Sequence, residues 1–556
     1  MQKIFTKVNL NNYSNNRLLF RLCFGFILII FATAYCLASI VPHYLFRTYA
    51  LDLGMFNNAL YNYAHLHSAH FTLAIDGTEI PYLGDHFSPI TMLYAPFYYL
   101  FGSYTLLIIQ IVSILFGGYS IFAYARFKGI NKWISLLLMA HFLILWPIFS
   151  ALSFDFHNNV VAAMLIPWFV LQFEKGNLKQ TLIFFVLILM AKENMALWMA
   201  FILMGLLLLK KGKSSAISNP VAIGLAVFSV IYFLVVILEI MPTYSKGLGT
   251  DQLARYSKVS GSPADVFSTM ILNPVKYFSL LFEDTISADA HGVKSMFWFM
   301  FLISGGFALI YKPQYLLMIL PIIAQKMFSS NPAIWGTGSQ YSIEMAPMIS
   351  LALIAFLPIF KTNTGKAVFL AVLIFTSYYY NKDEKGKRNI PIFRAEHYEP
   401  YLDIKEAHQA FKLIPDDVVI SVNSELAPHL AFRKVIYHFP VIKDAEYIVL
   451  LKNRRSSYPL TKEQFDEQIN KFSADSSNVI YNSADLLIYH VVNNSVKDIK
   501  ISETYDLKKL EEIENYIRSS KEWYDKIKRK AKIQNLPVDS VLRDDAKWAY
   551  RKNLNK

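Results

Sequence analysis

The run Leu18-Leu19-Phe20-Arg21-Leu22-Cys23-Phe24-Gly25-Phe26-Ile27-Leu28-Ile29-Ile30-Phe31-Ala32-Thr33-Ala34-Tyr35-Cys36-Leu37-Ala38-Ser39-Ile40-Val41 carries one charge, Arg21, in 24 residues. A helix needs about 20 mainly apolar residues to cross the hydrocarbon of a bilayer, so this run predicts a membrane span. It is too long for the apolar region of a signal peptide and has no small-residue cleavage site before a polar start, so it is read as a retained helix. Ten more apolar runs follow, at about 104–125, 133–150, 159–173, 181–191, 194–209, 219–241, 295–311, 313–328, 341–360 and 366–380.

Composition agrees with a chain built mostly from spans. Of 556 residues, 54% are hydrophobic and 17% charged, against roughly 45–50% and about 25% in an ordinary soluble domain. A single soluble enzyme is excluded, as are a disordered chain, a coiled coil and a disulfide scaffold. Cys23 and Cys36 are the only cysteines and lie in the first run. At about 1.5 Å per residue a helix holds them roughly 20 Å apart, too far for a disulfide.

Orientation follows from the positive-inside rule. With the N-terminus in the cytoplasm, 15 of the 23 basic residues before position 381 fall inside, among them Arg17, Arg21, Arg126, Lys128, Lys210, Lys211 and Lys366. Of the 14 acids in that region only Glu174 falls inside. Acids do little to set topology, so their outward placement calls for a functional reason. The net charge of +13 is mainly a topology signal, and no nucleic-acid partner is expected.

Eleven spans from a cytoplasmic start place residues 381–556 outside the cytoplasm, with 31 basic and 27 acidic residues of mixed sign, as on a solvated surface. β-rich runs at Val418–Val422, Lys434–Phe439, Tyr447–Leu451 and Leu486–Val492 interleave with helical patterns such as Thr461–Phe472. From about Glu503, Leu507, Leu510, Ile513, Ile517, Trp523 and Ile527 recur at helical spacing amid dense charge, as in a docking helix. The expected organisation is a transmembrane domain at 1–380, an extracytoplasmic α/β domain at 381–500 and an amphipathic helical tail at 501–556, in the inner cell membrane.

Ionisable groups at a membrane edge are costly and usually face a cavity or a partner. Asp52, in Tyr49-Ala50-Leu51-Asp52-Leu53-Gly54 just past the first span, suits either a helix N-cap or a base or metal ligand in a cavity. Asp85 and His86, in Gly84-Asp85-His86-Phe87-Ser88-Pro89, precede a helix start with Ser88 as cap and Pro89 in the first turn. Asp155 and His157, in Phe154-Asp155-Phe156-His157, point the same way if that turn is extended. Their oxygen and nitrogen donors suit Mn²⁺, Zn²⁺ or Mg²⁺. Lys192-Glu193 interrupts a long apolar run, which predicts a break between two short helices, with Lys192 able to meet an anion and Glu193 facing the same cavity. Arg255, in the loop at 242–293, is a candidate for a phosphate head group or a solvated rim charge.

In series these stretches resemble the bacterial and archaeal membrane-protein family designated domain of unknown function 2079. Asp52-Leu53-Gly54-Met55-Phe56, Gly84-Asp85-His86-Phe87-Ser88-Pro89-Ile90, Phe154-Asp155-Phe156-His157 and Lys192-Glu193 carry the resemblance. It extends through Arg255-Tyr256 to Gly261, Pro313 to Gln340-Tyr341, and Asp416 through Pro428-His429-Leu430 to Tyr447. The wider resemblance is to the GT-C superfamily of glycosyltransferases, which use polyprenyl-phosphate donors outside the cytoplasm. Asp52 stands where those enzymes carry an acid in the first external loop, Asp155 and His157 where some carry a metal motif, and Lys192 where lipid-linked sugar transferases often carry a lysine. The chain departs from the pattern in having a lone acid, Asp52, where many members show an acidic pair.

The resemblance implies a GT-C-like polytopic α-helical membrane protein that transfers a sugar from a polyprenyl-phosphate-linked donor to a glycan, lipid or protein acceptor among membrane lipids. The implied catalytic residues are Asp52, Asp85, His86 and Glu193, with Lys192 and Arg255 on the donor phosphate. Asp155 and His157, with Asp52, would hold a divalent Mn, Mg or Zn ion. The competing classes are a transporter or lipid flippase, which would show a midplane site and internal repeats, and a non-catalytic assembly protein, which would leave the membrane-edge acids unexplained.

Overall fold

The computed structural model describes residues 2–210, 217–245, 256, 273–283, 292–329, 331–381, 390–499, 507–520, 523–525, 527–528, 531 and 537–554. Each of the eleven apolar runs lies on one helix or on consecutive helical segments. By length and apolarity, four helical stretches among the described residues can cross a membrane alone: Arg17–Tyr44, Thr91–Phe127, Asn219–Ser245 and Val293–Tyr311. A fifth candidate is the pair Lys132–Ile144 and Trp146–Leu152, bent by 44° where Pro147 follows Leu145 and Trp146. The other runs form shorter apolar helices, including Leu178–Ala191, Glu193–Leu209 and Met345–Ile359. Among the described residues the expected eleven spans thus correspond to several long apolar spans and several shorter apolar helices. The segment at 90–102, too short to span alone, continues into the helix Thr105–Phe127.

Small residues let the helices close on one another. A Cβ on Gly117 would stand 2.8 Å from the Met164 sulfur, and one on Gly118 would stand 2.7 Å from Leu143. The helix Thr105–Phe127 therefore packs at near backbone contact against Asn158–Glu174 and closely against the Leu143 side chain of Lys132–Ile144. Close approach of this kind supplies the van der Waals contact that replaces hydrophobic driving force in lipid. Buried polar atoms find partners: the Tyr35 hydroxyl donates to the Leu143 carbonyl at 2.7 Å, and the Ser150 hydroxyl to Thr337 at 2.7 Å.

Beyond the helices the chain forms a five-stranded mixed sheet: β1 (Ile420–Val422), β2 (Ile436–His438), β3 (Tyr447–Leu451), β4 (Val479–Asn482) and β5 (Leu486–His490), in the order β2-β1-β3-β5-β4. β1 pairs in parallel with β2 and β3, while β5 runs antiparallel to β3 and β4. Four strands coincide with the expected β-rich runs. β4 did not stand out because its burial alternates half-buried with exposed. The helix Lys462–Ala474 begins at Thr461, which forms a capping box with Gln464.

The sheet shares its core with the segment after the first helix. Phe46, Ala50 and Leu73 are buried in one cluster with Ile420, Val422, Ile436, Val449 and Ile488. Polar pairing reinforces this. The helix Met55–Ala64 donates from Asn57 to the Pro428 carbonyl at 3.0 Å and from Asn58 to the carbonyls of Ala431 and Arg433 at 3.1 and 2.8 Å. Asn62 donates to Lys434 at 3.3 Å. Residues 428–434 have no ladder to absorb these carbonyls, and buried carbonyls require partners.

The chain divides into two compact units, one of residues 1–250 and 279–499 and the other of 251–278 and 500–556. In the second, helices Leu507–Ser519 and Val538–Leu554 enclose a small core of Leu510, Ile517, Ile527, Val541, Leu542 and Ala546. The apolar series of the tail therefore turns back on itself instead of following one continuous helix.

His438 on β2 is fully buried. Burial, partly offset by a backbone contact from Tyr458, pushes its imidazole down to about 4. An unfolded His titrates near 6.5, so between those values the unfolded chain binds the extra proton. Stability is therefore present above about pH 6.5 and falls as pH drops towards 4, by up to about 3 kcal/mol. Thermal unfolding followed from pH 7.5 to 4.5 should show a falling midpoint for the wild type and a shallower fall for His438→Leu.

Candidate functional site

The first loop places its acid by an unusual turn. After Tyr49 the segment Ala50–Gly54 coils tightly, with Leu51 and Asp52 outside helical geometry and Asp52 at φ 84°. A non-glycine residue in that region is strained by roughly 1–3 kcal/mol and persists only where its surroundings hold it. Here the Ala50 amide donates to the Ser424 hydroxyl of the sheet domain at 3.2 Å and Gly54 to the Tyr49 carbonyl at 3.0 Å. A Cβ on Gly54 would come within 3.3 Å of the Ala427 Cβ, so the sheet domain lies directly against the turn. Asp52 is not a helix N-cap.

Its partner comes from the turn between helices Trp146–Leu152 and Asn158–Glu174. The Asp52 Oδ1 lies 3.2 Å from His157 Nε2, with the imidazole 8% and the carboxylate 37% exposed. Gln110, inside the helix Thr105–Phe127, clamps this turn. Its Oε1 accepts the His157 amide at 3.0 Å and its Nε2 donates to the Asp155 carbonyl at 2.9 Å. The rings of Phe154 and Phe56 flank the imidazole at 5.6 and 5.9 Å.

Asp155 departs from the expected extended geometry. Its φ is 50°, so its carboxylate turns away from the course that would set it beside His157. Oδ2 instead accepts the Tyr49 amide at 3.3 Å. Burial and then the charge of Asp52 raise the Asp155 carboxyl to about 8, against the amides of Tyr49 and Leu53. Asp52 shifts the opposite way. Burial opposes its ionisation, but the hydrogen bond and charge of His157, then His86 and Lys192, hold it below the usual carboxylate range. Two neighbouring carboxyls are thus driven apart, Asp52 towards its ionised form and Asp155 towards its protonated one.

A second pair lies alongside. His86 Nδ1 is 3.1 Å from Glu193 Oε1, and the Phe87 amide donates to Glu193 Oε2 at 3.1 Å. The Ile90 amide donates to the Met190 carbonyl at 3.0 Å. Ser88 accepts from Thr91 through its carbonyl, not its side chain, so the expected Ser88 cap is not formed. Asp85 ends the turn Tyr82–Asp85, one residue before His86.

The expected helix break is present at Lys192, whose backbone is extended between Leu178–Ala191 and Glu193–Lys210. Lys192 is half-buried. Among the described residues no hydrogen bond or ion pair holds its ammonium, while its charge acts on Asp52, Glu193 and Glu344. Arg255 lies outside the described residues.

Several residues were not singled out from sequence. Glu344 is buried and accepts from Asn159 at 2.9 Å; an acid at the start of an apolar run was its only signal. Gln110, a polar residue inside a span, had a similar one. Ser424 and Glu425 had none, because their role depends on the sheet domain meeting the first loop. Glu425 accepts the amides of Arg455 and Ser456 at 3.0 and 2.8 Å.

Divalent-ion binding was expected of Asp52, Asp155 and His157. Among the described residues no three His, Cys, Asp or Glu side chains stand where they could hold an ion together. His157 Nε2 is engaged by Asp52, and the Asp155 carboxylate faces the Tyr49 amide.

The chain belongs to the family of predicted membrane proteins designated DUF2079, whose pattern matches residues 42–478. It is therefore a multi-pass membrane protein. Among solved structures it is similar to ArnT from Cupriavidus metallidurans bound to undecaprenyl phosphate, with 10% identity, 86% of this chain and 99% of that one covered, and a TM-score of 0.46. The apo form of the same protein gives 11% identity, 86% and 98% coverage and 0.44. The oligosaccharyltransferase of Archaeoglobus fulgidus, tethered by a disulfide bond to an acceptor peptide containing the NVT sequon, gives 11% identity, 77% and 68% coverage and 0.35. No curated protein matches the chain.

Replacing Gln110 with Leu strands a buried amide and a buried carbonyl in the 155–157 turn, each costing about 1–3 kcal/mol. Gln110→Leu should lower the thermal unfolding midpoint of the detergent-solubilised protein. Gln110→Glu keeps the acceptor for His157 and should retain part of the loss.

Proposed function

We propose that this protein is a membrane glycosyltransferase that moves a sugar from a polyprenyl-phosphate donor to an acceptor hydroxyl or amide on the extracytoplasmic face. The observation carrying this reading is the Asp52 carboxylate, bound to His157 at 3.2 Å, with the Lys192 charge acting on the same group. The reaction needs a base for the acceptor proton and a cation for the leaving phosphate.

The acceptor oxygen or nitrogen attacks the anomeric carbon as the bond from that carbon to the phosphate oxygen breaks. The bonding electrons leave with the polyprenyl phosphate, and the acceptor proton passes to Asp52. His157 donates from Nε2 to Asp52 and so orients the carboxylate. Lys192 offsets the charge gathering on the leaving phosphate. His86 and Glu193 fix the loop at 84–90 beside the helix break, and Asp155, largely protonated, adds no second negative charge against the donor. The extracytoplasmic placement rests on the positive-inside rule applied to the basic loops of the sequence.

The test is turnover of polyprenyl-phosphate sugars by the purified protein in lipid. Asp52→Asn should lower turnover by about 10²–10⁴-fold, the usual contribution of a positioned base. Lys192→Gln should weaken donor use by roughly 10–100-fold, as for a lost charge-assisted hydrogen bond. Unchanged turnover in Asp52→Asn would remove its role as base. Gradient-driven solute flux without turnover would replace the reading with a transporter.

A further inference from the structure

Apart from the carboxylate site, a cavity of about 440 Å³ opens where the first long helix ends, lined by Tyr44, Ile404, Lys405, His408, Gln409 and Lys412. Tyr44 is the last residue of the apolar span Arg17–Tyr44 and is 51% exposed. The 28 residues of that span extend about 42 Å as a helix, against roughly 30 Å of hydrocarbon. One end of the helix therefore reaches the head-group layer, where tyrosine is enriched. The remaining lining comes from the sheet domain's helix Ile404–Phe411 and the residue after it.

That helix sorts its residues by face. Ala407 and Ala410 are buried, while Lys405, His408, Gln409 and Lys412, at spacings of three, four and seven, are exposed on the other side. Its nearby acids are engaged elsewhere. Asp403 caps the helix by accepting the Glu406 amide at 2.9 Å, and Glu406 accepts the Tyr481 hydroxyl at 2.8 Å. Among the described residues neither Lys405 nor Lys412 has an ion-pair partner. Two lysines thus line one cavity at the end of an apolar span.

We propose that this cavity binds the phosphate of an anionic membrane phospholipid. Lys405 and Lys412 meet the phosphodiester, Gln409 and His408 supply hydrogen bonds, and Tyr44 and Ile404 line the side towards the glycerol and acyl chains. The lipid, not a free anion, is the occupant because one wall of the cavity is the end of a membrane helix. Binding there ties the sheet domain to the bilayer beside the segment that leads from Tyr44 to Asp52. The inference does not depend on the glycosyltransferase reading, since none of the six residues belongs to that site.

The experiment is native mass spectrometry of the full chain released from nanodiscs holding equal phosphatidylglycerol and phosphatidylcholine. Wild type should retain phosphatidylglycerol preferentially. Lys405→Gln/Lys412→Gln should reduce that preference on the order of tenfold or more, since basic residues near an anionic surface are attracted to it, and Lys405→Arg/Lys412→Arg should keep it. Equal retention of both lipids by wild type would overturn the proposal, as would an unchanged preference in the glutamine variant at an unchanged thermal midpoint. Saturation by inorganic phosphate without any lipid preference would make the site one for a soluble anion and equally overturn it.

Discussion

The hydrogen bond between Asp52 and His157 joins two turns of strained backbone. Asp52 and Asp155 both have positive φ, a conformation costly for residues with side chains. Tyr49 donates to Asp155, Gln110 clamps the backbone on both sides of Phe156, and Ser424 accepts from Ala50. Each strained residue is thereby held by groups from another element. Two residues of positive φ are thus held within one set of hydrogen bonds.

The sheet domain takes part in this arrangement. Phe46, Ala50 and Leu73 belong to its core, and the amides of Asn57, Asn58 and Asn62 satisfy its carbonyls. The turn carrying Asp52 is therefore held between the helix bundle and the sheet.

Charge is handled consistently across the site. Asp52 remains ionised through His157, Asp155 is pushed towards neutrality, and Glu193 is matched by His86. Lys192 is left without a direct partner among the described residues, although its field reaches three carboxylates. A cation kept this way is available to an incoming anion without breaking an existing ion pair, whose loss would cost the desolvation of both charges.

What the amino-acid sequence established was local in character: the apolar runs that became helices, four strands of the sheet, the helix start at Thr461 and the break at Lys192. These follow from run length, alternation and charge within a few residues, the scale on which spans, strands and caps are specified. The same scale exposed Asp52, His86, His157 and Glu193 as costly groups at a membrane edge. It could not pair them. Asp52 and His157 are 105 residues apart, and the left-handed turn at Asp155 undid the expected alignment with His157. The roles of Gln110, Glu344 and Ser424, the short and bent helices, and the sharing of one core by the first loop and the sheet were decided by tertiary packing. Close contact between distant segments determines which polar groups lose water together, and no local pattern of residues records that.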